Sequence, residues 1–139
     1  MKKKDCLFCK IVKGETPSFK IYEDKDFLAI LDISQFTEGH TIVIPKKHVE
    51  FIWDVRDIKG YFSVIQKIAN HFRSLGYKYV DSLTFGRKVP HAHFHLVPHN
   101  GEGGDYKNAL KNLGALQENP SRRPASELGN KIAKKFKLI

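Results

Sequence analysis

The chain has 139 residues, of which 41% are hydrophobic, 12% aromatic and 28% charged. This length and composition favour one folded domain with a single core and exclude an intrinsically disordered chain. The apolar runs are far shorter than the roughly 20 residues that span a bilayer, so no membrane partner is expected. The formal net charge of +9 favours anionic partners such as nucleotides or nucleic acid, although a solvated basic surface explains the same charge.

The basic N-terminus and the two cysteines both bear on the cellular location. No long apolar segment follows the sequence MKKKD, so we predict no signal peptide and a cytoplasmic location. The two cysteines, Cys6 and Cys9, are spaced C-x-x-C. Two thiols this close make a poor disulfide framework, and in a cytosolic chain they indicate half of a metal site or a redox pair. A reduced thiol pair packed in a helix is a third interpretation.

The first third of the chain predicts a helix and three strands. The sequence DCLFCKIVKGE is typical of a short helix that Asp5 caps and Gly14 ends. FKIYE and FLAILDI predict two strands joined by the charged turn DKD. GHTIVIPKKH predicts a third strand, rich in β-branched residues, which Pro45 closes.

The rest of the chain predicts two helices and two more strands. DVRDIKGYFSVIQKIANHFRSLG has the apolar spacing of a long helix that Gly76 ends. YVDSLTFG and VPHAHFHLVP predict a fourth and a fifth strand, and the polar segments after His99 predict loops. A final helix is predicted from about Ser126. The expected buried positions are Ile58, Phe62, Ile65, Ile68, Ala69, Phe72 and Leu75 on the long helix, and Leu128, Ile132, Phe136 and Ile139 on the last.

Strands, then a helix, then more strands predict an α+β fold. We expect a largely antiparallel five-stranded sheet with the long helix packed on it and a C-terminal helical tail. Residues 1–100 are predicted to form the domain, and residues 101–139 a C-terminal extension with a terminal helix.

The stretch VPHAHFHLVPH contains four of the seven histidines. On a strand, His91, His93 and His95 would share one face, and the alternating Ala, Phe and Leu would face the core. Same-face neighbours lie roughly 7 Å apart, so two such histidines can bind one metal ion, but three converge on one ion with difficulty. The spacing therefore favours a division of roles, in which one imidazole attacks, one holds charge and one is structural. A neutral imidazole can attack phosphorus when an acceptor holds its other N–H.

The sequence HAHFHLVP resembles the motif of the histidine triad family of nucleotide hydrolases and transferases, and its fold is then expected to be the histidine-triad fold. DCLFCKIVKGE is similar to the family's N-terminal segment, LDIS to its ribose-contacting turn and GHTIVIPKKH to its central strand. These blocks occur in the family's order over residues 5 to 99. The resemblance implies an enzyme, of phosphoramidase or dinucleoside polyphosphate hydrolase type, that cleaves at a nucleotide α-phosphate. It also implies a small-molecule nucleotide substrate, with a purine favoured, and a homodimer.

The resemblance implies specific roles for individual residues. His93 would be the nucleophile that forms a covalent nucleotidyl intermediate, His95 would contact the phosphates and assist the leaving group, and His40 would lie near them. Asp32 would bind the ribose hydroxyls, although a turn or cap residue is the alternative. The walls of the base pocket would be Leu7, Phe8, Ile11, Ile30 and Ile33, for which a place in the core is the alternative.

The resemblance to the zinc-containing branch also gives the two cysteines partners. Cys6, Cys9, His48 and His91 would form one tetrahedral structural zinc site, a donor set that suits Zn²⁺. His91 would then be structural rather than catalytic. His71 on the long helix is expected to be a surface or packing residue, and His99 to be exposed to solvent.

The segment LTFGRKVPH departs from the family pattern. It is shorter than usual, and Arg87 and Lys88 occupy positions where the family has a Gln and a hydroxyl residue that contact phosphate. Two cations beside a phosphate site can strengthen anion binding, which would favour leaving groups that carry more phosphate, or they can point to solvent.

Two other functions are compatible with the sequence. The first is a nucleotide- or nucleic-acid-binding module with little turnover, which the basic C-terminal sequence NKIAKKFKLI and the two cations favour. It lacks interleaved exposed aromatic residues or a recognised nucleic-acid motif. The second is a metal-dependent hydrolase built on an H-x-H pair, which lacks a carboxylate near the triad.

Overall fold

The computed structural model describes residues 5–101 and 126–138. The predicted loops between residues 102 and 125, and the predicted burial of Ile139, lie outside these described residues. The helices are α1 (Leu7–Val12), α2 (Ile58–Ser74) and α3 (Ser126–Phe136), and a 3-10 turn covers Ile52–Asp54. The strands are β1 (Lys20–Glu23), β2 (Phe27–Leu31), β3 (Thr41–Pro45), β4 (Tyr79–Leu83) and β5 (Phe94–His99).

The five strands form one sheet in the order β1-β2-β3-β5-β4, and every neighbouring pair is antiparallel. The predicted α+β fold with an antiparallel five-stranded sheet is therefore confirmed. Because β5 lies between β3 and β4, His95 is paired with Ile42 on one side and Leu83 on the other. This register places His95 in the interior of the sheet.

Both faces of the central strands are buried: one face packs on α2 and α3, and the other on α1. Successive strand residues point to opposite faces. On β2 and β3, Ala29, Leu31 and Val43 belong to the cluster that includes α2 and α3. The residues between them point to the other face, where they pack with α1; they are Leu28, Ile30, Ile42 and Ile44. The site described below lies on the α1 face.

The buried stripe of α2 differs from the predicted one. Ile58, Phe62 and Leu75, which were expected to be buried, are 37%, 39% and 41% exposed. Tyr61 is fully buried instead, because its hydroxyl donates a hydrogen bond of 2.6 Å to the Val43 carbonyl oxygen. A tyrosine whose hydroxyl has such a partner can lie in a core, and its polar atom hid this from a purely apolar pattern.

The C-terminal helix α3 packs into the main core. The Phe136 ring is fully buried, contacts Phe72 edge-on and stacks on Tyr77. Gly39 lies against the same ring with a φ of +98°, so a Cβ there would clash with Phe136 in a conformation that favours glycine. The prediction for Leu128 is wrong: it is 52% exposed, while Ile132 and Phe136 are buried as expected.

Replacing Phe136 with alanine is expected to lower the free energy of unfolding by about 3–5 kcal/mol, because it leaves a cavity in the main core. Leu128→Ala on the exposed side of the same helix is the control, with an expected change of about 0.5 kcal/mol or less. Urea denaturation of the two variants measures both values. Equal effects would contradict the placement of α3 against the core.

No helix within the described ranges combines the length and the apolarity needed to cross a bilayer.

Candidate active site and metal site

The four predicted metal ligands come together in the structure. The Cys9 sulfur lies 3.2 Å from His48 Nδ1 and 3.4 Å from His91 Nδ1, and the Cys6 sulfur lies 3.3 Å from His91 Nδ1. The two Nδ1 atoms are 3.2 Å apart. All four ligand atoms lie within 4.8 Å of one another, and three of the residues are buried.

The chemistry of this cluster fits a metal ion. In a tetrahedral zinc site the ligand atoms lie roughly 3.3–3.8 Å apart, close to the spacing found here. His91 Nε2 lies 2.7 Å from the Pro45 carbonyl oxygen, which can only accept. The Nε2–H therefore donates, and in the neutral ring Nδ1 presents its lone pair to the two sulfurs. A metal-ligating histidine is commonly fixed in this way by a backbone carbonyl.

The N-cap of α1 belongs to this cluster, and it is not the predicted Asp5. The Cys6 side chain accepts from the Cys9 backbone N–H at 3.4 Å, so Cys6 is the N-cap. A sulfur held by the first turn of the helix is also held toward the two histidines. The local helix geometry thus helps to converge the C-x-x-C pair on the imidazoles.

The sequence predicts one continuous strand over VPHAHFHLVP, and this prediction is wrong. Strand β5 begins at Phe94, so His91 and His93 precede it. The division of roles between the histidines is nevertheless visible in their contacts. The His91 ring lies among the metal-site side chains, whereas the His93 and His95 rings lie side by side, with centroids 5.2 Å apart.

The hydrogen bonds fix the tautomer of His93. Its Nδ1 lies 2.8 Å from the His91 carbonyl oxygen and donates to it. The Nε2 atom of the neutral ring therefore carries a lone pair. Burial lowers the pKa of His93, which favours this neutral form, and the edge-on ring of Phe8 at 5.1 Å restricts the imidazole. His93 therefore has the form of a nitrogen nucleophile.

A chain of hydrogen bonds continues from His95 into the protein. His40 Nδ1 donates to the Ser34 carbonyl oxygen at 2.7 Å, so His40 Nε2 accepts from His95 Nδ1 at 2.9 Å. Burial lowers the pKa of His40 to about 3. Burial and the neighbouring His40 also lower the pKa of His95 to about 3. Both rings are therefore neutral at neutral pH without a ligand.

Asp32 lies beside this chain. One carboxylate oxygen accepts from the Ser34 backbone N–H at 2.7 Å. The other oxygen lies 3.5 Å from His95 Nδ1 and 3.7 Å from His40 Nε2. Burial raises the pKa of Asp32, although His95 and a hydrogen bond oppose that shift. The Ser34 N–H thus holds the Asp32 carboxylate in place beside the rings of His95 and His40.

A cavity of about 310 Å³ opens beside His93 and His95. The six residues that the resemblance implied for nucleotide binding line this cavity: Leu7, Phe8, Ile11, Ile30, Asp32 and Ile33. Arg87 and Lys88, which depart from the family pattern, line it as well. His40 is fully buried behind His95. The sequence analysis missed Phe85, another lining residue, whose ring faces that of His95 at 6.0 Å and lies under the Arg87 guanidinium at 5.6 Å.

The expectation that His99 is exposed is wrong. His99 is 7% exposed, its Nε2 donates to an Asp81 carboxylate oxygen at 2.7 Å, and its ring stacks on Tyr79. These partners come from β4, which pairs with the end of β5. The contact depends on strand register, which the position of His99 after Pro98 does not reveal.

The fold and the site together define the class of protein. Residues 13–102 match the HIT domain, and the chain belongs to the HIT-domain family. It is 42% identical over 110 residues to the protein called hit of Bacillus subtilis, a match that covers 73% of this chain and 76% of that one.

Two further relatives bear on the chemistry of the family. An adenosine 5′-monophosphoramidase of Saccharomyces cerevisiae is 36% identical over 101 residues, covering 70% of this chain and 64% of that protein. The crystal structure of a Zn-bound histidine triad family protein from Mycobacterium smegmatis superposes with a TM-score of 0.71 at 30% identity. That match covers 97% of this chain and 92% of the other.

Proposed function

We propose that this protein is a nucleotide hydrolase or nucleotidyl transferase that cleaves at the α-phosphate through a covalent intermediate on His93. The observation that carries the proposal is the His93 tautomer. The His91 carbonyl holds Nδ1–H, so Nε2 is available at the wall of a cavity large enough for a nucleotide. The yeast phosphoramidase among the relatives supports the reaction class.

In the first step, the His93 Nε2 lone pair attacks the α-phosphorus, and the bond from phosphorus to the leaving group breaks. A bound phosphate raises the pKa of the neighbouring His95, because negative charge favours the imidazolium. His95 then holds Nδ1–H toward His40 and a second proton on Nε2. That second proton passes to the leaving nitrogen or oxygen, and the nucleotidyl group remains on His93.

In the second step, water attacks the same phosphorus and the bond to His93 Nε2 breaks. His95, now neutral, accepts the proton of the attacking water. His93 recovers its neutral form with Nδ1–H still donated to the His91 carbonyl. His40 fixes the orientation of His95 throughout, because its own Nδ1–H is held by the Ser34 carbonyl at 2.7 Å.

We propose that Asp32 binds the ribose hydroxyls and that the apolar side of the cavity holds a purine base. Asp32 lies at the rim beside His95, and its carboxylate can accept two hydroxyl hydrogen bonds. The walls for the base are Leu7, Phe8, Ile11, Ile30 and Ile33. An apolar lining with one carboxylate among its residues suits a nucleoside.

We also propose that Zn²⁺ occupies the cluster of Cys6, Cys9, His48 and His91. The convergence of four suitable donors supports this assignment. When bound, the ion supplies structure rather than chemistry, since two thiolates and two imidazoles complete its coordination. It would fix the His91 backbone, whose carbonyl holds the proton of His93.

The direct test of the proposed function is hydrolysis of adenosine 5′-monophosphoramidate by the purified protein. We expect release of AMP and ammonia, and competitive inhibition by added AMP. Binding of AMP without turnover would instead point to a nucleotide-binding module. Absence of both binding and turnover would contradict the proposal.

The two cations at the cavity predict a preference for anionic leaving groups. Replacing Arg87 with glutamine is expected to lower kcat/KM for a dinucleoside polyphosphate about three- to fivefold more than for the phosphoramidate. The effect is modest because Arg87 is exposed and its charge is screened by solvent. Lys131→Gln on α3 is the control for lost positive charge. An unchanged ratio of the two kcat/KM values in Arg87→Gln would contradict this prediction.

A homodimer is proposed as the assembled form. Strand β4 is an edge of the sheet, and Phe62 on α2 is 39% exposed and contacts Phe94 of β5. An open sheet edge and an exposed aromatic side chain are features through which a second copy can pair. Light scattering is expected to give twice the 16.0 kDa mass of one chain. A monomer at micromolar concentration would contradict the proposal.

A further inference from the structure

A second group of metal-ligand atoms lies in the active site, apart from the cysteine cluster. It consists of Asp32, His40 and His95. His40 Nε2 and His95 Nδ1 are 2.9 Å apart, and an Asp32 carboxylate oxygen lies 3.7 Å and 3.5 Å from them. Two ligand atoms about 2.1 Å from one ion, at a tetrahedral angle, lie roughly 3.4 Å apart. The two distances from Asp32 match this spacing, and the two nitrogens would have to move apart by roughly 0.5 Å to share one ion.

The atoms behind these ligands are arranged as they are in metal sites. His40 Nδ1 donates to the Ser34 carbonyl oxygen at 2.7 Å, which leaves the Nε2 lone pair directed at the cluster. The other oxygen of Asp32 accepts from the Ser34 backbone N–H at 2.7 Å. One residue, Ser34, thus orients two of the three ligands. Such outer partners typically fix ligating histidines and carboxylates.

We propose that Asp32, His40 and His95 form a second binding site for a divalent first-row transition-metal ion such as Zn²⁺ or Co²⁺. Two imidazoles and one carboxylate are a donor set that these ions accept, and three protein ligands leave one coordination position for another ligand. The site would bind more weakly than the cysteine cluster, because it has no thiolate.

Without an ion, His95 Nδ1–H donates a hydrogen bond to His40 Nε2, and a bound ion would replace that hydrogen bond. The two arrangements differ by the position of one proton. When the ion binds, the proton on His95 Nδ1 is replaced by the metal, and neutral His95 carries its proton on Nε2 instead. His40 keeps its proton on Nδ1 in both forms. Both rings therefore stay neutral, and neither releases a proton when the ion binds.

Occupation of this site would antagonise the proposed reaction. The metal would hold the Asp32 oxygen that is assigned to ribose and the His95 ring that is assigned to the leaving group. The inference that a metal ion binds here rests on the positions of the three ligand atoms and does not depend on the proposed function. Only the antagonism rests on that function.

A titration of the metal-free full-length protein with Co²⁺ tests the site. The first equivalent is expected to give the intense thiolate-to-cobalt absorption of the cysteine cluster. The second is expected to give weaker visible bands with no further thiolate absorption. Asp32→Asn and His40→Gln are each expected to lose the second equivalent and keep the first. His71→Gln, a half-buried histidine that contacts the Phe136 carbonyl oxygen, is the control and keeps both.

Two results would overturn the inference: a wild-type protein that binds only the first equivalent, or a second equivalent that persists in both variants. If a variant fails to fold, ¹⁵N spectra of the wild-type histidines decide with Zn²⁺ as the probe. Zn²⁺ beyond the first equivalent must then shift His40 Nε2 and His95 Nδ1, and unchanged resonances would contradict the site. These readouts do not involve turnover, so their failure is separate from failure of the phosphoramidate assay.

Discussion

Replacing His93 with alanine is expected to lower kcat for phosphoramidate hydrolysis by about 10⁴-fold or more, because the attacking atom is lost. Among the side chains that line the cavity, only His93 is an imidazole whose Nδ1–H is held by a backbone carbonyl. The other lining histidine, His95, donates its Nδ1–H to His40. The remaining binding groups should still hold AMP. The expected pattern is therefore lost turnover with retained nucleotide affinity.

The control for this variant is His71→Ala, which removes a histidine on α2 whose ring contacts α3 rather than the cavity. Its kcat is expected to stay within about twofold of wild type, since His71 is not among the residues that line the cavity. Thermal denaturation of both variants separates a loss of folding from a loss of chemistry. Turnover near the wild-type rate in a folded His93→Ala protein would rule out the nucleophile assignment.

Removal of the proposed zinc ion is expected to have the second large effect. Metal analysis should find one zinc per chain, and Cys9→Ser should lower the free energy of unfolding by about 4 kcal/mol or more. Cys9 contacts both histidines of the cluster, so its loss leaves their lone pairs without a shared partner. Turnover should fall with stability, because the His91 carbonyl orients His93.

The control for zinc removal is reversibility. Wild-type protein stripped by a strong chelator should regain its unfolding midpoint when one equivalent of Zn²⁺ is restored, whereas Cys9→Ser should regain little. A stripped protein that is as stable and as active as the zinc-loaded protein would show that the cluster has no structural role.

The strands were predictable from the alternation of polar and apolar residues. The same alternation predicted that the residues between the histidines would face the core. The apolar residues between the histidines are largely core residues, as expected: Ala92 and Leu96 are 1% exposed, and Phe94 packs partly buried against the same core. The break before Phe94 was not predictable, because it depends on where His91 is held by Pro45 and the cysteine cluster. Those partners are distant in sequence, and no local pattern encodes them.

The candidate site was predicted residue by residue from the family resemblance rather than from physics. The side chains implied for nucleotide binding do line one cavity. From the sequence alone, the apolar ones among them could equally have been core residues. The tautomers of His40, His93 and His95 were beyond sequence reasoning, because each is set by a carbonyl or a ring nitrogen that the fold brings within 2.9 Å. The same holds for Phe85, which reaches the cavity through the loop after β4.

The most direct test of the central claim is intact-protein mass spectrometry after rapid acid-free quenching of a reaction with adenosine 5′-monophosphoramidate. We expect a transient mass increase of one adenylyl group, localised to His93 by peptide fragmentation and absent from His93→Ala. An adduct on another residue, or AMP release in a single-turnover experiment with no adduct at any time point, would rule out the covalent intermediate on His93.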